Sequence, residues 1–238
     1  MRPRYTWILF DADDTLFDYK RAELDALSQT LINFGFPFAP QYLGLYREIN
    51  EGLWRAFEQG KIAQARLKTE RFVQWFAAME LKAPPDPEAF SELYLATLGT
   101  CTVLIEGALD VVTGLRAGYH LALITNGLAA VQRARLSRSP IGPLFEVVII
   151  SEEVGASKPS PRIFDVAFER MGWPPKAQVL MVGDGLISDI SGGCGYGIDT
   201  VWVNPEGRPL PHDVTPTYEI RRLEELGGIL ASQPATGS

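Results

Sequence analysis

The sequence predicts an α/β protein with a three-layer α/β/α core on a parallel sheet and an inserted all-helical domain. Two observations lead to this prediction. Short apolar runs rich in β-branched residues recur along the 238-residue chain with helix-like segments between the later ones, a pattern typical of βαβ units. Residues 18 to about 100 contain no convincing strand and form a series of predicted helices, broken at glycine and proline. We therefore expect the helical stretch to be inserted after the first strand.

The core is predicted from its strands and from the helices that connect them. The predicted strands are residues 6–10, 120–124, 146–150, 179–182 and 200–203. A helix over residues 107–117 carries its apolar side chains along one face and stops at Gly118, which is a favoured C-cap. Ser160 and Pro161 predict the start of another helix, because serine is a good N-cap and proline fits the first turn.

The predicted domains follow from this order of elements. Residues 1–17 and 101–232 would form the core, and residues 18–100 would form the helical domain. The small and polar residues 233–238 have no apolar surface to bury, so we expect them to form a disordered tail.

Composition and charge exclude several classes of function. The chain has 22 basic and 29 acidic residues, a formal net charge of −7, and its basic residues are scattered, so we expect no nucleic-acid partner. Its longest apolar runs fall far short of the roughly 18 residues that a membrane helix needs, and no signal-peptide cleavage site follows the first run. Cys101 and Cys194 are too few for a disulfide framework, which favours a reducing, cytoplasmic location. The sequence leaves the oligomeric state open.

Polar side chains follow three of the predicted strands. Asp11 comes directly after the first strand, Thr125 and Asn126 follow the second, and Asp184 follows the fourth. In an open parallel sheet these strand ends lie along one edge, where ligands bind. The sequence therefore predicts a ligand site at that edge.

Carboxylates are unusually dense at this edge. Asp11, Asp13 and Asp14 lie within four residues, and Asp184 and Asp189 join them from another strand end. Crowded carboxylates repel one another unless a cation neutralises them, and oxygen-only ligands suit Mg²⁺. The competing interpretation is that the aspartates after the first strand only cap a helix or a turn.

Four segments in chain order resemble the motifs of the haloacid dehalogenase superfamily. They are Asp11-x-Asp13-x-Thr15, Ile124-Thr125-Asn126-Gly127, Ser157-Lys158-Pro159 and Gly183-Asp184-x-x-x-x-Asp189. The resemblance covers the chain from Trp7 to about Leu230. It implies a Rossmann-like core and identifies the helical stretch 18–100 with the inserted cap domain of the superfamily.

The resemblance also implies phosphoryl transfer with a covalent intermediate. Asp11 would attack phosphorus and form an aspartyl-phosphate, while Asp13 would act first as general acid and then as general base. The implied phosphate ligands are Thr125, Asn126 through its backbone N–H, and Lys158. The implied Mg²⁺ ligands are Asp11, Asp13 through its backbone carbonyl, and Asp184, with Asp189 in support. A solvated surface lysine is the competing interpretation of Lys158.

Asp13 indicates the branch of the superfamily. Members that resemble dehalogenases lack a carboxylate here and phosphonate-cleaving members carry alanine, so phosphomonoester hydrolysis is expected. A sugar-phosphate phosphatase, a phosphomutase and a non-catalytic sensor of a phosphorylated metabolite remain alternatives, because the same core motifs serve several functions.

More closely, the chain resembles the bacterial noncanonical pyrimidine nucleotide phosphatases, which are 5′-nucleotidases. The segments that carry this resemblance are Phe10–Phe17, Asn50-x-x-Leu53-Trp54, Gly60-x-Ile62, Arg71-Phe72-x-x-Trp75, Ile124–Gly127 and Ile150–Pro159. It implies a small-molecule partner, a nucleoside monophosphate. Asp14 and Gly185 depart from this subgroup, which more often has Glu and Thr or Ser at these positions.

The helical domain contains the candidate specificity residues Asn50, Trp54 and Arg71. An amide can match a pyrimidine edge, a guanidinium can match carbonyl or phosphate oxygens, and an aromatic ring can stack on a base. Aromatic residues spaced three or four apart on helices are more often the core of a helix bundle, which is the competing interpretation of the aromatic residues here.

Overall fold

The chain folds into two compact units. The structure, a computed structural model, describes residues 4–81, 83–211 and 213–232. One unit comprises the chain up to Tyr19 and from Thr102 onward, and the other comprises Lys20–Cys101. The tail predicted at 233–238 lies outside the described residues.

A parallel six-stranded sheet forms the centre of the first unit in the described part of the chain. In chain order its strands are β1 (Trp7–Phe10), β2 (His120–Thr125), β3 (Val147–Ile150), β4 (Val179–Gly183), β5 (Asp199–Val203) and β6 (Tyr218–Ile220). Across the sheet the order is β3-β2-β1-β4-β5-β6, and all pairs are parallel. The bounds of each predicted strand agree with the structure to within one residue. The sheet also contains a sixth, short edge strand, β6, which is not among the predicted strands.

Helices connect these strands and follow the last of them. Over the described residues the α-helices are α1 (Tyr19–Asn33), α2 (Pro40–Glu58), α3 (Gln64–Ala78), α4 (Pro87–Leu98), α5 (Ala108–Leu115), α6 (Ala129–Arg138), α7 (Ser151–Val154), α8 (Pro161–Arg170), α9 (Gly192–Tyr196) and α10 (Glu225–Ala231). A π-helical turn, Leu186–Ser191, lies between β4 and α9. Helix α8 begins at Pro161 as predicted, although the Ser160 hydroxyl makes no capping hydrogen bond.

The sheet is covered on both faces, which confirms the predicted α/β/α layers. Successive side chains of a strand point to opposite faces, so β1 contributes to two hydrophobic clusters. Ile8 and Phe10 pack in one cluster with side chains of α5 and α10, whereas Trp7 and Leu9 pack in the other with side chains of α8. The central strand is therefore buried on both sides, and its carboxyl end is held in a fixed position.

The second unit is a bundle of helices with an aromatic core. Phe72, Trp75 and Phe76 of α3 are buried, and Trp75 donates a hydrogen bond through Nε1 to the carbonyl of Tyr42 at 2.8 Å. Phe72 also lies 5.2 Å from the ring of Tyr94, measured between ring centroids. These contacts confirm the interpretation of the α3 aromatic residues as bundle core. In the described part of the chain, no helix combines the length and the apolar character that a membrane-crossing helix requires.

Candidate active site

The polar strand ends lie side by side because β1 is flanked by β2 and β4. Phe10, the last residue of β1, is in register with Leu123 of β2 and Val182 of β4. The next residue is Asp11, whose backbone N–H donates to the carbonyl of Val182 at 2.9 Å. Only 7% of the Asp11 residue is exposed, so its carboxylate is buried at the edge that the sequence predicts.

A buried lysine holds two of the carboxylates together. The Nζ of Lys158 donates to Oδ1 of Asp11 at 2.5 Å, to Oδ1 of Asp189 at 2.6 Å and to the carbonyl of Ile124 at 2.8 Å. These three acceptors match the three N–H groups of an ammonium. Burial lowers the pKa of Lys158, but the negative charges of Asp11 and Asp189 outweigh it and raise that pKa above its ordinary value. Lys158 is a charged interior residue, so the interpretation as a solvated lysine is wrong.

The side chain of Asn126 fixes the backbone of Lys158. Its Nδ2 donates to the carbonyl of Lys158 at 2.8 Å, and its Oδ1 accepts from the N–H of Lys158 at 2.8 Å. The hydroxyl of Ser151 donates to the carbonyl of Asn126 at 3.1 Å. The Asn126 amide thus acts within the protein, and phosphate binding by the backbone N–H of Asn126 stays a prediction.

Thr125 is buried at the end of β2. Its Oγ1 accepts a hydrogen bond from the N–H of Gly127 at 3.0 Å. A hydroxyl that accepts one hydrogen bond can still donate its own proton. The Thr125 hydroxyl is therefore still able to donate a hydrogen bond, and its binding of a phosphoryl oxygen stays a prediction.

Thr15 joins the loop after β1 to the loop after β4. Its Oγ1 accepts from the N–H of Asp184 at 3.1 Å and lies 3.4 Å from Oδ1 of the same residue. The carbonyl of Asp184 accepts from Nε1 of Trp202 at 3.1 Å and from Nη2 of Arg208 at 3.2 Å. Burial, followed by the negative charges of Asp189 and Asp14, raises the pKa of Asp184 to about 7.

Three carboxylates at this edge can be ligands of one metal ion. Asp11, Asp184 and Asp189 each offer an oxygen, and these oxygens lie within 4.8 Å of one another. Burial raises the pKa of Asp11 well above its ordinary value, Asp189 and Asp184 raise it further, and Lys158 opposes them. One lysine does not balance three carboxylates, and a divalent cation would neutralise the excess charge. This oxygen-only donor set fits Mg²⁺.

Both carboxylate oxygens of Asp189 already accept hydrogen bonds from the protein. Besides its contact with Lys158, Asp189 accepts the N–H of Gly185 on Oδ2 at 2.9 Å. A Cβ added at Gly183 would lie 2.3 Å from that same Oδ2, so this position has no room for a side chain. These contacts suit the supporting role predicted for Asp189 better than direct ligation.

Asp13 lies outside this group of carboxylates. The guanidinium of Arg135 donates from Nη1 to Oδ1 of Asp13, and the amide of Gln132 donates from Nε2 to Oδ2 at 2.6 Å. Neither donor is among the residues predicted from the sequence. The feature that could have identified them is their position on α6. Val131 and Leu136 mark the buried face of this helix, and the two polar side chains are buried beside them.

The candidate specificity residues belong to the helical unit. Asn50 and Arg71 are buried, and Trp54 is half-buried with its ring centroid 5.7 Å from that of Phe57. The guanidinium of Arg71 lies 5.0 Å from the ring centroid of Tyr94. The Oδ1 of Asn50 is buried and accepts no hydrogen bond from the described residues. Their part in substrate recognition stays a prediction.

Comparison with known proteins adds to this geometry. A family model described as haloacid dehalogenase-like hydrolase matches residues 5–194. The pyrimidine 5′-nucleotidase YjjG of Escherichia coli is 33% identical over 227 residues, which cover 95% of this chain and 98% of that protein. The pyrimidine 5′-nucleotidase PynA of Streptococcus pneumoniae is 33% identical over 223 residues, 93% of each chain. A crystal structure of YfnB from Bacillus subtilis bound to magnesium is 36% identical, with a TM-score of 0.90 over 95% of this chain and 99% of that chain.

Proposed function

The chain belongs to the haloacid dehalogenase-like hydrolases, and on that premise we propose that it is a Mg²⁺-dependent phosphomonoester hydrolase acting on pyrimidine nucleoside monophosphates. The observation that carries the proposal is the position of Asp11. Its carboxylate is buried at the end of the central strand, bound to Lys158 and close to the carboxylates of Asp184 and Asp189. This arrangement supports nucleophilic attack by Asp11 on phosphorus.

The reaction has two half-reactions. In the first, a carboxylate oxygen of Asp11 bonds to phosphorus, the bond from phosphorus to the leaving oxygen breaks, and the proton of the Asp13 carboxyl passes to that oxygen. In the second, a water oxygen bonds to phosphorus, Asp13 accepts a proton from the water, and the bond to Asp11 breaks. Phosphate is released, and the original carboxylate of Asp11 is regenerated.

Charge at the site would assist both steps. The three equatorial oxygens of a transferring phosphoryl group carry spread negative charge, so fixed donors stabilise them. Lys158 supplies a buried positive charge, and Thr125 supplies a hydroxyl proton. Because Asn126 fixes the backbone of Lys158, little rearrangement of this charge is needed during the reaction.

Mg²⁺ would be held by the carboxylates of Asp11 and Asp184 and by the carbonyl of Asp13, with Asp189 in support. When bound, it supplies positive charge that offsets the carboxylates and the substrate phosphate. The raised pKa values of Asp11 and Asp184 are consistent with this assignment, because burial and then the charges of neighbouring carboxylates disfavour the ionised form that a bound cation would stabilise.

The proposed substrate class rests on the relatives. YjjG and PynA are pyrimidine 5′-nucleotidases and match this chain over most of its length. Asn50, Trp54 and Arg71 are the proposed contacts to the base and the ribose. The buried Oδ1 of Asn50, which accepts nothing from the described residues, supports a role for its amide in binding.

The test is phosphate release from a panel of nucleoside and sugar monophosphates with Mg²⁺, with Asp11→Asn run alongside. We expect turnover that favours deoxyuridine and thymidine monophosphates, stops with EDTA and is absent in Asp11→Asn. Preference for sugar phosphates would contradict the substrate class, and isomerisation of a hexose monophosphate would indicate a mutase. Binding without turnover of any phosphate ester would indicate a sensor.

A further inference from the structure

Two side chains of α6, those of Gln132 and Arg135, bind the carboxylate of Asp13, and we call this pair of donors the clamp. Arg135 donates to Oδ1 and Gln132 donates to Oδ2, so each oxygen accepts one hydrogen bond. Residues three apart on a helix lie on the same face, so α6 presents both donors together. Each carboxylate oxygen has two lone pairs, and the clamp leaves lone pairs to carry a proton.

Arg135 is fixed on both sides of its guanidinium. Its side chain is fully buried, and its central carbon lies 4.6 Å from the ring centroid of Phe17. Phe17 belongs to the same loop as Asp13, since its N–H donates to the carbonyl of Ala12 at 2.9 Å and its carbonyl accepts the N–H of Asp14 at 2.8 Å. A planar guanidinium between a carboxylate and an aromatic face has little freedom to move.

The glycine after Asn126 makes room for the second donor. A Cβ at Gly127 would lie 2.3 Å from Nε2 of Gln132 and 2.9 Å from its Cγ. Any larger residue would displace the amide that binds Asp13. The absence of a side chain at Gly127 is thus explained by the clamp.

We propose that Gln132 and Arg135 are positioning residues that hold Asp13 for proton transfer to the leaving oxygen. This inference rests on the proposed phosphomonoesterase activity and adds the residues that orient its general acid. The Asp13 side chain is 27% exposed and lies in a loop, so it could rotate without the clamp. A general acid acts only when its proton lies in line with the accepting oxygen.

The decisive readout is dependence on the leaving group. Phenyl phosphate expels a basic phenolate that needs a proton, whereas 4-nitrophenyl phosphate expels a weakly basic one that needs little help. The kcat/KM value covers only the steps up to departure of the leaving group, so it reports the first half-reaction alone. General acid catalysis contributes about 10²–10⁴-fold. Losing the orientation of Asp13 should therefore lower kcat/KM for phenyl phosphate by about tenfold or more, and for 4-nitrophenyl phosphate by less than about threefold.

The variants are Gln132→Met, which removes one donor at similar volume, and Arg135→Lys, which keeps the charge but loses the planar fork. Gln132→Met keeps the ion pair between Arg135 and Asp13, so this variant still tests the inference if Arg135→Lys fails to fold. Gly127→Ala should reproduce the effect of Gln132→Met and add nothing to it in the double variant. The control is Arg133→Lys on the same helix, because Arg133 is exposed and pairs with Glu153 instead.

The outcomes separate the inference from the proposed function. If the wild type does not hydrolyse phosphate esters, or if Asp11→Asn hydrolyses them equally well, the proposed function itself is wrong. If the wild type is active and the α6 variants lower kcat/KM equally for both esters, the clamp is only structural and the inference is overturned. Unchanged kinetics in Gln132→Met and Gly127→Ala would overturn it as well.

Discussion

Replacing Lys158 by methionine should destabilise the metal-free protein by removing the charge that holds two buried carboxylates. The ammonium binds Asp11 at 2.5 Å, Asp189 at 2.6 Å and the carbonyl of Ile124 at 2.8 Å, and its side chain is 1% exposed. Removing one partner of a buried ion pair costs about 3–5 kcal/mol. Protonation of the orphaned carboxylates relieves part of this cost, so we expect a loss of about 3 kcal/mol. At roughly 2–4 °C per kcal/mol, Tm should fall by about 6–12 °C.

The assay is thermal unfolding in EDTA, followed by near-ultraviolet circular dichroism. Lys61→Met is the matched control, because Lys61 is exposed and such substitutions usually change stability by less than about 0.5 kcal/mol. Adding Asp189→Asn to Lys158→Met should restore part of the loss, since one orphaned charge is removed. A Lys158→Met protein as stable as the wild type would refute the reasoning, as would a double variant whose losses simply add.

Two further predictions concern Asp184 and the glycine before it. The pKa of Asp184 is raised to about 7, so protonation stabilises the folded metal-free protein at acidic pH and this stabilisation is lost as the pH rises through about 7. Asp184→Asn should therefore raise Tm in EDTA more at about pH 8 than at about pH 5, and an equal gain at both would contradict the assigned pKa. Gly183→Ala should lower the free energy of unfolding by about 1–3 kcal/mol in denaturant unfolding. The added Cβ would lie 2.3 Å from Oδ2 of Asp189, whose two carboxylate oxygens already accept hydrogen bonds from Lys158 and from the N–H of Gly185. Gly195→Ala, whose Cβ would meet nothing within 4 Å, is the control and should not be destabilised; similar losses at both glycines would refute the packing argument.

The core strands could be predicted from the sequence because each is a short apolar run followed by polar residues. The sequence predicts strand β1 at 6–10, and the strand lies at Trp7–Phe10, where all side chains are buried. Strand β6 could not be predicted, because it has only three residues, Tyr218–Ile220, and only the last is buried. A strand this short at the edge of a sheet depends on pairing with β5 more than on its own pattern.

Only the part of the candidate site that lies at the strand ends could be predicted from the sequence. The sequence predicts Asp11, Asp184 and Asp189 at one edge of the sheet, and their carboxylates lie there together. The donors to Asp13 could not be predicted from motif spacing, because Gln132 and Arg135 come from a helix whose orientation depends on packing against the sheet. The same limit applies to the Asn126 amide, whose partner Lys158 is distant in sequence.

Gly185 shows how a structure can explain a departure from the subgroup pattern. A Cβ at this position would lie 2.2 Å from the Oγ of Ser188 and 2.9 Å from Oδ2 of Asp189. The Ser188 hydroxyl thus occupies the space that a side chain at 185 would need. No spacing argument could have shown this, because it depends on the π-helical turn Leu186–Ser191.

The central claim is that Asp11 carries the phosphoryl group, and Asp13→Asn tests it most directly. This variant keeps the nucleophile but lacks the base for the second half-reaction, so 4-nitrophenyl phosphate with Mg²⁺ should phosphorylate it and leave it phosphorylated. We predict a rapid burst of about one nitrophenolate per protein, with the phosphoryl group found by peptide mass spectrometry on Asp11, and no burst when Asp11→Asn is added. Steady turnover without a burst, or a phosphoryl group on any other residue, would contradict the account.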